Sequence, residues 1–559
     1  MMDRYNKMNK KNFSIIFNDK LYTYKNYLDF INKTKISSNV SRIALILKRT
    51  PILLYYIYMC IDKGITFIPI DPSYPQKRIE FIIKESEPDL IISDLDYDVK
   101  LESKYINSKD DISYIIYTSG STGTPKGVEI TRQALNNFIE GVSDIIDFSY
   151  GKRIACLTNV SFDIFLLESI VALKKGLTVV LANENEQNNP KHIANLIQSN
   201  SIDMIQMTPS KMQLLLNYDK ELKCLTNVKE ILIGGEVFPI NLLYELQNKT
   251  NSKIYNLYGP TEATIWATIS ELTYKKQIDI GFPIKNTQIY IIDENLNILS
   301  TGCVGEICIA GKGLARGYVK QKDLTLRNFI YLPHDKNIRI YRTGDMGRIL
   351  DDGHLEFLGR IDNQVKIHGY RIELEEIESL MMQLDGVKQA IVSIRSVGET
   401  NMVLEAFYTS SFELAPNYIL NHLADHLPNY MLPTTFKRVA EFIRTSNDKI
   451  DRNKVYKCKV ISDNNIETSD TNYILNEYQQ KIYRIILSSF EEKATDISLD
   501  TYFNEIGIDS INFITLILEL ENEFHIEWED EMLLLSSFST IKSMVDYVES
   551  RIIKKQYEK

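Results

Sequence analysis

From Ile43 to Ile233, short β-rich runs alternate with helical periods, and that alternation restricts the fold more than any other feature of the chain. Ile43–Leu47, Thr66–Ile70, Leu90–Ile92, Ile112–Thr118, Thr178–Leu181, Met204–Met207 and Glu230–Ile233 read as strands. Between them Pro75–Glu85, Arg132–Ser143 and His192–Ser199 carry helical spacing. Strands joined by helical crossovers build α/β domains with largely parallel sheets. From about 285 to 360 the helices thin out, and IYIIDENL, GEICIAG and HLEFLGR mark a smaller β-rich lobe with Gly-rich turns. At 559 residues the chain is too long for one core, so several folding units are expected.

The remainder divides by pattern. Residues 1–361 form the expected large lobe. Residues 362–460, with a strand or hairpin, a helix at 374–383, strands at 402–408 and 436–443, and a helix at 413–426, read as a small α+β lobe. ISDNNIETSDTN (461–472) is polar and aperiodic, as a linker should be. Helical patterns at 473–490, 510–523 and 538–552 then predict a three- or four-helix bundle within 473–553. Charge follows the same division: residues 471–550 carry −12, whereas 1–470 carry about −1 of the chain's net −10. Without a basic stripe, nucleic acid is not an expected partner. No apolar stretch reaches membrane-spanning length and the N-terminus lacks a signal-peptide core. The six cysteines show no metal-ligand spacing, which suits a reduced, cytoplasmic setting.

The sharpest string is YIIYTSGSTGTPKGV. A β-rich run feeds a loop of Thr118, Ser119, Gly120, Ser121, Thr122, Gly123, Thr124, Pro125, Lys126 and Gly127. Glycines let the backbone curl while hydroxyls, N–H groups and Lys126 gather on phosphate oxygens. It is not a P-loop, because Pro125 precedes and Gly127 follows the lysine. With LYTY (21–24), KGITFIPIDPSYP (63–75), SFD (161–163), NLYGPTE (256–262), GEICIAGKGLARGYV (305–319), YRTGDMGRI (341–349), GRIDNQVKIHGYRIELEEIE (359–378), LPNYMLP (427–433) and NDKIDR (447–452), the chain resembles the adenylation domain of nonribosomal peptide synthetases. DTYFNEIGIDSINF (500–513) is similar to a peptidyl carrier protein's signature.

That resemblance implies ATP-dependent activation of an amino acid as aminoacyl-AMP, with release of pyrophosphate, then thioester transfer to a carrier. Tyr258 would face adenine, Thr261 the α-phosphate, Glu262 Mg²⁺, Asp345 the ribose hydroxyls, and Arg360 the ribose and phosphates. Phe357 stands where the family commonly has Tyr. Lys449 resembles the lysine that bridges the substrate carboxylate and the ribose side. Asp448 replaces the usual glycine beside it. Asp362 looks like a hinge about which one state presents Lys449 and the other the 363–370 segment with Lys366 and Gly369. His368 lies in that segment, where arginine is common.

Asp163 matches the aspartate that pairs with a substrate α-ammonium. The family's motif spacing then makes Ile164, Leu167, Gln206, Leu232, Gly234, Leu257, Ile265 and Trp266 pocket residues. None is charged, and Trp266 with the leucines would fill the space a side chain needs. The set resembles the glycine-activating pattern, with alanine as the competitor. Ser510 would carry 4'-phosphopantetheine. A phosphopantetheinyl transferase and a condensation or other acceptor enzyme in trans are the implied partners, since neither a condensation domain nor a thioesterase is expected on the chain. The alternatives are a D-alanine–carrier ligase relative, an acyl- or aryl-CoA ligase, or a nucleotide-binding scaffold that presents the carrier.

Overall fold

The computed structural model describes residues 13–94, 111–120, 123–367, 369–397, 401–445, 449–461, 476–488, 498–499, 501, 503, 510–529, 532, 538 and 540–557. Two compact units are present, one of Met1–Gly120 with Thr124–Arg371, the other of Ser121–Gly123 with Ile372–Lys559.

The first unit is built on three sheets. A nine-stranded sheet runs Phe282–Pro283, Thr268–Glu271, Lys253–Tyr258, Glu230–Gly234, Met204–Met207, Arg153–Cys156, Thr178–Leu181, Ser14–Phe17, Lys20–Thr23. Its middle is parallel, as the crossover pattern predicts, and its two ends are antiparallel. Side chains alternate across it: Leu232 belongs to one buried cluster, whereas Ile231 and Ile233 belong to the other under Pro190–Ser199, Pro209–Tyr218 and Ile240–Lys249. Burial on both faces explains the apolar run Ile231–Leu232–Ile233.

A six-stranded sheet runs Gly317–Tyr318, Lys126–Thr131, Ile112–Thr118, Thr66–Pro69, Arg42–Ile46, Leu90–Ser93. The phosphate-loop string is the tip of a hairpin here, since Ile112–Thr118 pairs antiparallel with Lys126–Thr131 and Thr118 faces Lys126. The lobe at 285–360 is a five-stranded antiparallel sheet whose long strand Asp335–Ile349 carries Asp345 and pairs with Leu355–Arg360. The starting hairpin Ser14–Phe17/Lys20–Thr23, which joins the sheet through the distant Thr178–Leu181, and the strand Lys126–Thr131, which is half polar, went unread in the sequence.

In the second unit, Val387–Val397, Asn401–Ser410 and Thr435–Arg438 form a three-stranded sheet beside the helices Leu374–Met381 and Pro416–Ala424. Arg452 ties this lobe together with a two-pronged contact to Glu378 at 2.7 and 2.5 Å. Three helices, Glu477–Ser488, Ser510–Phe524 and Ile541–Tyr557, surround Ile482, Ile486, Phe513, Leu516, Leu520 and Val545. Trp528 is a packing residue there: it is buried against Phe538 and Tyr547 and donates Nε1–H to the Met532 carbonyl at 2.9 Å. Five of the six cysteines are buried and all are unpaired; Cys303 is exposed. Among the described residues no helix is long and apolar enough to cross a membrane.

Candidate active site

Asp163 follows the turn that leads into Ile164–Leu166 and the wider π-turn Leu167–Val171, a helix irregularity frequent at functional sites. It accepts hydrogen bonds from the Thr261 hydroxyl and the backbone N–H groups of Ile265 and Ile164, yet its Oδ2 is buried with no partner. Burial pushes its carboxyl up to about 6 against the pull of those hydrogen bonds. A buried carboxylate oxygen without a donor costs free energy unless a ligand supplies one.

Register places Gln206, Leu232, Gly234 and Leu257 on one sheet face. Gln206 lies opposite Leu232 and Gly234 opposite Leu257, and Leu232 and Gly234 are two residues apart on one strand. Ile164, Leu167, Leu232, Leu257, Ile265 and Trp266 share a single apolar cluster. Trp266 is fully enclosed and abuts Gly234 so closely that a Cβ there would lie 2.8 Å from its Cη2 and 2.7 Å from the Leu257 carbonyl oxygen. The indole is aimed by strained backbone, because Thr264 and Ile265, both β-branched, sit at φ +63° and +68°. Gln206 Oε1 and Trp266 Nε1 are further buried polar atoms without partners.

Beyond Thr261 the turn Thr261–Ala263 delivers Glu262 into the interior, where it is wholly buried. Its Oε1 accepts from the Tyr318 hydroxyl at 2.9 Å and faces Lys126 Nζ at 3.5 Å, while its Oε2 accepts from Arg371 Nη1 at 2.7 Å. Burial alone would raise this carboxyl, but Arg371 and Lys126 outweigh it and hold Glu262 below the usual carboxylate range. In the loop, a Cβ on Gly120 would collide with the Thr124 carbonyl oxygen at 1.9 Å, so the turn demands glycine. Thr118 Oγ1 is buried without a partner, and Ser119 donates its hydroxyl to the Arg371 carbonyl at 2.7 Å. Ser121 and Thr122 lie outside the described residues.

A second set centres on Asp345. Tyr258 donates its hydroxyl to Oδ2 at 2.6 Å, and Arg360 pairs with Oδ1. Arg360 also holds Asp362 through two contacts of 2.7 Å and donates to the Thr343 carbonyl at 3.1 Å. An ionised carboxylate has about four lone-pair sites, so Asp345 keeps acceptor capacity for a diol. The Tyr258 and Phe357 rings lie 6.3 Å apart. Lys366 is half-buried, and its enclosure lowers its ammonium against the pull of nearby Asp345. Gly369 donates its N–H to Glu236, which also accepts from the Ser210 backbone N–H at 2.9 Å and hydroxyl at 2.7 Å. His368 lies outside the described residues.

The structure thus brings Asp163, Thr261, Glu262 and Lys126 together, and Tyr258, Asp345, Arg360, Asp362 and Lys366 together. Lys449 belongs to the second unit, exposed on a turn where its carbonyl accepts from the Thr445 N–H at 2.7 Å; Asp448 lies outside the described residues. Ser510 is the first residue of the helix Ser510–Phe524, while residues 504–509 of its signature lie outside the description. Sequence reasoning missed Arg371, Tyr318 and Glu236. The first two stand inside the quoted strings HGYRIE and ARGYV, where nothing local separates an ion-pairing residue from its neighbours.

Residues 93–319 match the AMP-binding enzyme family, and residues 480–548 match the phosphopantetheine attachment site family. Bacitracin synthase 3 of Bacillus licheniformis is 31% identical over 573 residues, which cover 96% of this chain and 9% of that protein. Zwittermicin A synthase ZmaJ of Bacillus cereus is 35% identical over 443 residues, covering 73% of this chain and 84% of that one. Among solved structures, a four-domain nonribosomal peptide synthetase in its holo form, bound to AMP and glycine, aligns with a TM-score of 0.58 and 28% identity. That alignment covers 98% of this chain and 42% of the other. Fold and site together define an AMP-binding enzyme followed by a phosphopantetheine attachment domain. More narrowly, the chain belongs to the nonribosomal peptide synthetase adenylation family, and it spans only a small fraction of the long synthetases it matches.

The family implies two groups beyond ATP. Glu262 offers hard oxygen donors of the kind that would hold Mg²⁺, and here its Oε2 is taken by Arg371. Among the described residues no group of three or more His, Cys, Asp or Glu could hold a metal. For phosphopantetheine, Ser510 heads a helix whose unpaired N–H groups suit a phosphodiester.

Proposed function

We propose that the chain activates glycine as glycyl-AMP and transfers it to a thiol carried on Ser510. One observation carries the substrate class: the Asp163 Oδ2 is buried and unpartnered, one residue before Ile164, which belongs to the same apolar cluster as Trp266. An α-ammonium pairs with that oxygen in a low-dielectric site, whereas fatty and aryl acids would leave it unpaired. Ile164, Leu167, Leu232, Leu257 and Ile265 present no charge and little space, so bulk selects the smallest amino acid. The aligned synthetase with bound AMP and glycine supports the same choice.

In the first half-reaction the amino-acid carboxylate attacks the α-phosphorus of ATP and pyrophosphate leaves. Tyr258 holds the adenine, Asp345 and Arg360 the ribose, and Thr118, Ser119, Gly120, Ser121, Thr122, Gly123 and Lys126 the phosphates. Thr261 orients the α-phosphate. Glu262 would hold Mg²⁺, which would neutralise the negative charge that builds on the phosphates. Lys449 positions the substrate carboxylate. In the second half-reaction a turn about Asp362 exchanges Lys449 for Lys366 and Gly369. The arm on Ser510 supplies the thiol that takes the acyl group, and AMP is released. The large lobe (1–361), small lobe (362–460), linker (461–472) and carrier (473–553) are the units this cycle needs. A phosphopantetheinyl transferase and an acceptor enzyme in trans complete it in the cytoplasm.

The test is amino-acid-dependent ATP–pyrophosphate exchange with all twenty amino acids, β-alanine, D-alanine and benzoate. Exchange with glycine above all others is expected. Preference for a larger acid overturns the pocket assignment, and exchange with benzoate alone overturns the role of Asp163.

A further inference from the structure

Glu262 is a wholly buried carboxylate with three polar partners, and they are not equivalent. Lys126 and Tyr318 stand on the adjacent antiparallel strands Lys126–Thr131 and Gly317–Tyr318, where Tyr318 faces Val128. The sheet fixes both. Arg371 instead lies on the short hairpin strand Tyr370–Ile372 and is the last residue of the first unit, nine residues after Asp362. Its guanidinium holds Glu262 Oε2 at 2.7 Å, and its carbonyl takes the Ser119 hydroxyl at 2.7 Å. One residue therefore occupies two groups assigned above to Mg²⁺ and the phosphates.

Charge explains why such an exchange is needed. ATP brings about four negative charges to the site, and these leave together with the metal when Mg-pyrophosphate departs. A buried carboxylate that loses a cation must regain one or bear a desolvation cost of several kcal/mol. Lys126 lies 3.5 Å from Oε1, a longer approach than the 2.7 Å contact that Arg371 makes with Oε2. We propose that Arg371 replaces the divalent cation on Glu262 once pyrophosphate has left, so that metal and guanidinium alternate on one carboxylate between the two half-reactions. This rests on the adenylation reading above and goes beyond it, because it makes Arg371 a positioning residue for the second step and the cation that takes the departed metal's place.

The experiment uses the full chain with its carrier unmodified, glycine, ATP and Mn²⁺ as the probe, with inorganic pyrophosphatase to drive adenylate formation. Mn²⁺ is followed by electron paramagnetic resonance, in which free aqueous ion gives the resolved signal. The wild-type chain is expected to return its Mn²⁺ to solution once the adenylate has formed. Arg371→Gln is expected to retain close to one Mn²⁺ per adenylate. With the carrier modified, the ratio of transfer rate to pyrophosphate-exchange rate in Arg371→Gln should fall at least tenfold, and Arg371→Lys, which keeps the charge, should recover part of it. If Arg371→Gln does not fold, Arg371→Lys, which shortens the reach to Glu262 while keeping the charge, takes its place with the same sign and a smaller effect. Equal Mn²⁺ release from wild type and variant, with an unchanged rate ratio, overturns the proposal while leaving adenylation intact. Absence of exchange with any amino acid overturns the adenylation reading instead.

Discussion

If the proposed glycine reading holds, replacing Trp266 with serine should let the chain take alanine as well as glycine. In the native pocket the indole approaches Gly234 so closely that even a Cβ on that residue would lie 2.8 Å from it, so little room remains for a substrate methyl. Exclusion of one methyl group is worth about 1–3 kcal/mol, or about 10–200-fold in kcat/KM. Removing the indole abolishes that exclusion and lets the methyl be buried, for about 0.8 kcal/mol, or roughly fourfold. The alanine-to-glycine ratio of kcat/KM should therefore rise from well below 0.1 to about 1–4. Losing a buried Trp also costs about 3–5 kcal/mol of stability. The assay is pyrophosphate exchange with the two amino acids on one preparation, so that the folded fraction cancels in the ratio, with circular dichroism confirming a folded population. A folded Trp266→Ser chain whose ratio stays within twofold of wild type would show that Trp266 does not line the substrate site.

Three further outcomes follow from the same geometry. Burial raises Asp163 from 3.8 to about 6, so the native state holds its proton more tightly than the unfolded chain; its contribution to stability falls as pH rises between these values and costs about 3 kcal/mol above them. Asp163→Asn should consequently melt higher than wild type at pH 8, converge with it near pH 4, and lose amino-acid-dependent exchange, while wild-type kcat/KM for glycine climbs between pH 5 and 7. Asp362→Pro should slow transfer to the carrier at least tenfold more than it slows exchange; equal losses in the two assays would remove Asp362 as the hinge. Ser510→Ala should abolish the mass increment left by a phosphopantetheinyl transferase and all thioester loading, with exchange within twofold of wild type.

What could be read from the sequence was what repeats or stays local. The crossover strands announce themselves by alternation, and their registers then place Gln206, Leu232, Gly234 and Leu257 on one sheet face. The hairpin Ser14–Phe17/Lys20–Thr23 escaped because it joins the nine-stranded sheet through Thr178–Leu181, a partner more than 160 residues away. Motif strings likewise supplied Asp163, Glu262 and Asp345 but not what neutralises them. Glu262 and Arg371 are 109 residues apart, Tyr318 lies 56 beyond Glu262, and only the meeting of three chain segments makes them one electrostatic group.

That meeting separates the three carboxylates in a way no single string conveys. Of the three, Glu262 is held below the carboxylate range by Arg371 and Lys126, Asp345 is tied to Tyr258 and Arg360, and Asp163 is pushed upward, with an oxygen unpaired. A buried acid without a cation is an unstable element that a fold retains only where something else supplies the charge. The strain at Thr264 and Ile265 points the same way, since two β-branched residues at positive φ cost about 1–3 kcal/mol each. Both costs fall within the stretch that aims Trp266 at Gly234 and donates to Asp163 through the Ile265 N–H. Stability is thus spent where a substrate ammonium and a minimal side chain would recover it. A pocket whose purpose was to fill the core would have placed an apolar residue at 163 and relaxed backbone at 264–265.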